Sequence, residues 1–221
     1  MLTNACGGQR WDMRPDGLIE VEGSGTPAFE PGSAHFIEME RSWKNWSGLI
    51  LDASERYGIP PAWIIAIMTE ETGLWSDDPA DQASKVSYAG ARGLMQIMPA
   101  TARLFGADPD AMFDPASNID VGVALLAELR DRRGGELPEM AAAYNSGSVC
   151  SPGKNQWNLA MADDYAGNVI RWNNAAVMYL SLRRPHLMLG LTLGAAGLYA
   201  AAVIVGLAKA PKLPWQVARL F

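Results

Sequence analysis

From Phe36 onward the apolar residues Phe36, Met39, Trp43, Trp46, Ile50, Ala53 and Tyr57 return at steps of mostly three and four. That is the stripe of an amphipathic helix turned toward a core. Gly58 ends the stripe, and Pro60 and Pro61 suit the start of a second helix, where the first amide hydrogens have no partner inside the helix anyway. Trp63, Ile64, Ile67 and Met68 then supply a buried face that runs to Gly73. Residues 74–92 carry Asp, Ser, Ala and Gly with no helical period, so a loop is expected there, with room for short strands.

The second half of the chain carries further helical signals. Pro99 opens a short helix closed by Gly106, and a longer one follows over Asn118–Arg133, with Ile119, Val123, Leu126 and Leu129 inward and Gly134-Gly135 as its stop. Met140–Tyr144 forms the next helix, residues 148–160 a loop, and Tyr165–Leu182 the last helix. Residues 1–35 are rich in Gly and Pro and alternate only at Leu18, Ile19 and Val21, which predicts an extended arm with a short strand, packed on the core or on a partner. The fold class expected is all-α with at most minor strands. The expected domains are the arm 1–35, a catalytic-sized domain 36–182 and a tail 183–221.

Composition narrows the chemistry. A chain of 221 residues that is 49% hydrophobic with eight Trp can bury a core without covalent staples. The two cysteines, Cys6 and Cys150, are far apart, and the sequence leaves open whether they pair. With His35 and His186 the only histidines, there is no His or Cys cluster with the spacing of a zinc or haem site, so no metal and no cofactor are expected. A net charge of -6 argues against a nucleic-acid partner, which would call for a basic patch.

Three short strings carry the candidate chemistry: Glu71-Thr72-Gly73, the run GLMQIMPATA over Gly93–Ala102, and Ala143-Tyr144-Asn145-Ser146-Gly147. Glu71 follows Ile64 by seven residues, Ile67 by four and Met68 by three, so it ends the apolar stripe instead of lying on the wet face. Desolvation there raises a carboxyl's pKa, and a carboxyl still protonated near neutral pH can give its proton to a leaving oxygen and then take one back. Glu70, three residues after Ile67, meets the same spacing criterion, and spacing leaves the two open.

The three strings, in this order, resemble the catalytic domain of soluble lytic transglycosylases, over roughly Phe36–Leu180. The resemblance implies a lysozyme-like fold and cleavage of peptidoglycan glycan strands between N-acetylmuramic acid and N-acetylglucosamine. It chooses Glu71 over Glu70, because the family's acid is followed by Ser and commonly by Gly one residue later, and Thr72-Gly73 keeps the hydroxyl and the glycine. It also implies the mechanism. One acid protonates the glycosidic oxygen, then removes the proton from the muramic acid C6 hydroxyl to close a 1,6-anhydro ring, while the sugar's N-acetyl group stands in for a second carboxylate. The same resemblance implies substrate contacts for Ser87, Met95, Gln96, Met98, Tyr144 and Asn145. The gap between Glu71 and Ser87 is longer than the family's, which weakens the assignment of Ser87, and core packing is the competing expectation for Met95 and Met98. Trp75 and Trp157 can stack on sugars or fill the core.

The tail adds a further expectation. Residues 187–208 contain no charge, long enough as a helix to cross a bilayer core of about 30 Å. Arg183, Arg184, Lys209 and Lys212 flank the run on both sides and so set no orientation. Gly190 and Gly194 form a GxxxG pair suited to self-association. The first residues show neither a basic start nor an apolar run of signal-peptide kind. Together these features lead to the expectation of a phage virion enzyme that opens the wall for genome delivery, with virion proteins as partners. The alternatives are a bacterial inner-membrane enzyme facing the periplasm and a non-catalytic wall-binding virion module.

Overall fold

The computed structural model describes residues 9–23, 29–73, 76–133, 135–149 and 164–183. The chain divides into two units, Met1–Tyr179 and Leu180–Phe221, and of the second only Leu180–Arg183, the last turn of a helix, falls among the described residues. Strands β1 (Trp11–Met13) and β2 (Ile19–Val21) precede helices α1 (Ala34–Tyr57), α2 (Pro61–Met68), α3 (Pro79–Ser84), α4 (Pro99–Leu104), α5 (Pro115–Arg133), α6 (Leu137–Ser146) and α7 (Tyr165–Arg183). The architecture is mostly helical, as the periodicity predicts.

Helix α2 is the centre. Ile64, Ile65, Ala66, Ile67 and Met68 are all buried, so this helix presents no polar face, in contrast to the single stripe expected from its sequence. It packs against α1, whose Met39, Trp43, Ile50 and Ala53 are buried, and α1 packs in turn on α5, where Val123 and Leu126 are buried. Ser33 caps the start of α1 by accepting the Phe36 amide, and Gly58, at φ 66°, ends it in the left-handed conformation that glycine adopts without steric cost.

Several elements depart from the sequence expectation for local reasons. Within 74–92, expected as loop, residues Pro79–Ser84 form α3, because Asp78 caps the Ala80 amide and Pro79 presets the first turn. Six residues are too few for periodicity to show. Helix α5 starts at Pro115, three residues ahead of Asn118, since the Asp114 carboxylate accepts both the amide and the hydroxyl of Ser117. Helix α6 is likewise longer at both ends than Met140–Tyr144, and Pro109–Phe113 forms a 3-10 turn.

The arm is a β-hairpin. β1 and β2 pair antiparallel with Trp11 opposite Val21 and Met13 opposite Ile19. It is tied to α7: buried Asn174 accepts the Ile19 amide and donates to the Ile19 carbonyl, both at 2.8 Å, as a neighbouring strand would, and Asn173 donates to the Gly17 carbonyl at 3.0 Å. No helix among the described residues is long and apolar enough to cross a membrane. The candidate span 187–208 with Gly190 and Gly194 lies outside the described residues, as do Cys6, Cys150, Trp75 and Trp157.

Candidate active site

The chain leaves α2 by a single π-helical turn, Thr69–Gly73, that carries both candidate carboxylates. Widened turns of this kind occur mostly as single bulges and often at functional sites, because the extra residue re-aims the side chains on either side of it. Gly73 closes the turn against the core: a Cβ there would lie 2.8 Å from Oε1 of buried Glu38 and 2.8 Å from the Thr69 methyl. The Thr72 hydroxyl stands 2.8 Å from the Leu94 carbonyl and 3.1 Å from the Met68 carbonyl, and so joins this turn to the GLMQ loop. That is the hydroxyl the sequence comparison of Thr with Ser singled out.

The GLMQ loop is itself held from below by Asn118 of α5, which is fully buried. Its Oδ1 accepts the Met95 amide at 2.7 Å, and its Nδ2 donates to the carbonyls of Arg92 and Met112, each at 2.8 Å. Gly93 is required: at φ 72° a Cβ would lie 2.2 Å from the Met112 carbonyl oxygen and 2.4 Å from Asn118 Nδ2. Gln96 adopts φ 48° although it is not glycine, with Nε2 donating to the Gly93 carbonyl at 2.8 Å and the Lys85 carbonyl at 3.3 Å. Its Oε1 is buried and has no hydrogen-bond donor among the described residues.

The two carboxylates of the π turn have separate partners on α7. Glu71 Oε1 accepts the Tyr165 phenol at 2.6 Å. Glu70 accepts Asn168 Nδ2 at 3.0 Å on one oxygen and Trp172 Nε1 at 3.1 Å on the other. Burial, reinforced by the negative charge of Glu70, pushes the Glu71 carboxyl up to about 7 against the pull of the Tyr165 hydrogen bond and of Lys85. Burial also raises Glu70, but its two N–H donors and the positive charges of Arg171 and Lys85 oppose the rise. Lys85 reaches the π turn directly, donating to the Glu71 main-chain carbonyl. The phenols of Tyr144 and Tyr165 are held neutral far above neutral pH by burial and by the nearby Glu71 charge.

The sequence-expected residues fall into distinct places. Tyr144 comes close to Glu71, its phenol donating to the Met95 carbonyl at 2.7 Å while feeling the Glu71 charge, and Gln96 follows Met95 in the same loop. Asn145 follows on the exposed side of α6. The Met95 side chain is fully buried, in contact with Gly122, where a Cβ would lie 2.4 Å from its sulfur, so Met95 contributes its backbone to this region and its side chain to the core. Met98 precedes α4 with its side chain 40% exposed. The Ser87 hydroxyl accepts the Ala91 amide at 3.0 Å inside the turn that leads to Gly93. Tyr165 and Lys85 were not among the residues expected from the sequence. A lone Tyr at the start of a helix and a lone Lys in a loop carry no periodic signal, and only their reach to Glu71 marks them.

The Transglycosylase SLT domain family matches residues 48–162, more than half of the chain. A membrane-bound lytic murein transglycosylase C from Histophilus somni is 38% identical over 116 residues, covering 45% of this chain and 30% of that protein. One of the same name from Glaesserella parasuis is 34% identical over 134 residues, covering 53% of this chain and 34% of its own length. The chain thus spans about a third of the curated relatives it matches. Among solved structures, the lytic transglycosylase Slt of Pseudomonas aeruginosa superposes with a TM-score of 0.47 at 25% identity, over 62% of this chain and 24% of that one.

Proposed function

Since the chain belongs to the Transglycosylase SLT domain family, we propose that residues 36–182 form a peptidoglycan lytic transglycosylase domain with Glu71 as its catalytic acid and base. The observation that carries this reading is the state of Glu71: half-buried, protonated to about pH 7, and oriented by the Tyr165 phenol. A carboxyl in that state donates its proton to the glycosidic oxygen as the bond to C1 of N-acetylmuramic acid breaks. The carboxylate left behind then accepts the C6 hydroxyl proton as O6 bonds to C1, so the products carry 1,6-anhydro ends and no water is consumed. Glu70 supports a single-acid mechanism, because both of its oxygens are engaged by α7. In this reading Ser87, Gln96, Met98, Tyr144 and Asn145 line the region where the strand is held, and Met95, whose side chain is buried, supports it from the core.

Digestion of purified peptidoglycan followed by mass spectrometry tests the reaction. Anhydro-muramic ends are expected, and reducing ends alone would make the enzyme a lysozyme-type hydrolase. No turnover at all would favour the wall-binding module. Glu71→Gln should abolish turnover with the fold retained.

Of the settings expected from the sequence, the envelope one draws support from the relatives, which are membrane-bound lytic murein transglycosylases. Residues 187–208 are the segment proposed to insert, with Gly190 and Gly194 as a self-association face. The virion setting draws on the sequence alone. Fractionation separates the two: recovery with inner membranes in the absence of phage supports the envelope, and recovery only in assembled particles supports the virion.

A further inference from the structure

With Glu71 read as the acid, its neighbour is left without a chemical task, yet α7 holds both oxygens of Glu70. Tyr165, Asn168 and Trp172 follow one another on α7 at steps of three and four, one face of the helix. Each sends its donor to the π turn, Tyr165 to Glu71 and the other two to Glu70. Two N–H groups directed at the two oxygens of one carboxyl favour its charged form, since neither nitrogen can accept a proton from a neutral acid. The anchor is backed from behind. The Trp172 ring lies 5.0 Å from that of His35 at the start of α1, and His35 lies 4.6 Å from Phe29.

We propose that Glu70 is a positioning residue for the reaction: tied to α7 through both of its oxygens, it fixes the π turn against Tyr165 and sets a second carboxylate beside Glu71. The inference rests on Glu71 being the acid. The charged and titratable groups around the pair come from several elements. Tyr165 and Arg171 belong to α7, Tyr144 to α6, and Lys85 to the loop after α3. Tyr165 and Lys85 both favour ionised Glu71, so burial and the Glu70 charge are what oppose them. Without that charge, burial acts alone against a phenol and an ammonium, and Glu71 loses its proton at lower pH.

The test is the pH dependence of kcat/KM on peptidoglycan for the full chain, whose basic limb reports the acid that must be protonated. Glu70→Gln should move this limb to lower pH by about half a unit or more, the size expected for losing one nearby charge. A purely architectural Glu70 would lower the melting temperature and leave the limb in place, which would overturn the proposal. Because the Gln amide would meet one of the two N–H donors with an N–H of its own, Glu70→Gln is also made together with Trp172→Phe, which removes that donor. The limb must move in this protein too. Glu71→Gln is run alongside: if it stays active, the assignment of the acid itself falls, whereas an inactive Glu71→Gln with an unmoved limb in both Glu70 proteins overturns only the role given to Glu70.

Discussion

Tyr165 at the start of α7 donates a 2.6 Å hydrogen bond to Glu71 at the end of α2, across 94 positions of sequence. This bond stabilises the ionised carboxylate, the form Glu71 takes between its two proton transfers, while burial stabilises the neutral form it starts from. The opposition keeps the group near neutrality, where it can both give and take a proton.

Tyr165→Phe removes the donor and keeps the ring. Glu71 then holds its proton to higher pH, so the basic limb of kcat/KM should move up, the opposite direction to Glu70→Gln. Turnover at the optimum should fall about tenfold, the equivalent of one lost hydrogen bond of roughly 1.4 kcal/mol. A pH series of initial rates measures both effects, and a limb that stays in place would show that the phenol does not govern the acid.

The raised pKa of Glu71 also has a consequence for stability. The folded state holds this proton to about pH 7, whereas the unfolded chain releases it near 4.5. Its stabilising contribution is therefore complete below pH 4.5 and is lost as pH rises to about 7. Glu71→Gln carries no such proton and should gain on the wild type across that window, by an amount approaching about 3 kcal/mol. Denaturant unfolding of both proteins at several pH values measures the gap, and parallel curves would contradict it.

Asn118→Ala should destabilise the protein by about 3 kcal/mol, because it strands the Met95 amide and the Met112 carbonyl in the core and removes one of the two donors to the Arg92 carbonyl. Activity should drop further than stability requires at a temperature where the variant is folded, since the GLMQ loop loses its support. Chemical unfolding and turnover, measured at the same temperature, check the two effects.

Asn174→Ala frees both backbone groups of Ile19, so the hairpin should detach from α7 at a cost of about 2 kcal/mol. Hydrogen exchange reads this directly: the Ile19 amide should lose protection in the variant. Unchanged protection would mean that the hairpin is held by the burial of Trp11, Ile19 and Val21 alone.

The amino-acid sequence by itself determined the helices long enough to repeat their period, as in α1, most of α5 and α7, and it marked Glu71, Gln96 and Tyr144 through the strings that contain them. Periodicity reports which side of a helix avoids water, and that is a local property. It stays silent on elements of one or two turns, so α3, the 3-10 turn at Pro109–Phe113 and the π turn escaped it. It also could not separate Glu70 from Glu71, since adjacent residues at a helix end share the same apolar spacing. The motif that follows Glu71 chose between them, and the tertiary structure gave the two different partners, by bringing α7 alongside the π turn so that Asn168 and Trp172 take one carboxylate and Tyr165 the other. Partners 94 to 102 positions away are selected by how two helices pack, and the donors that result leave no repeating mark along the chain.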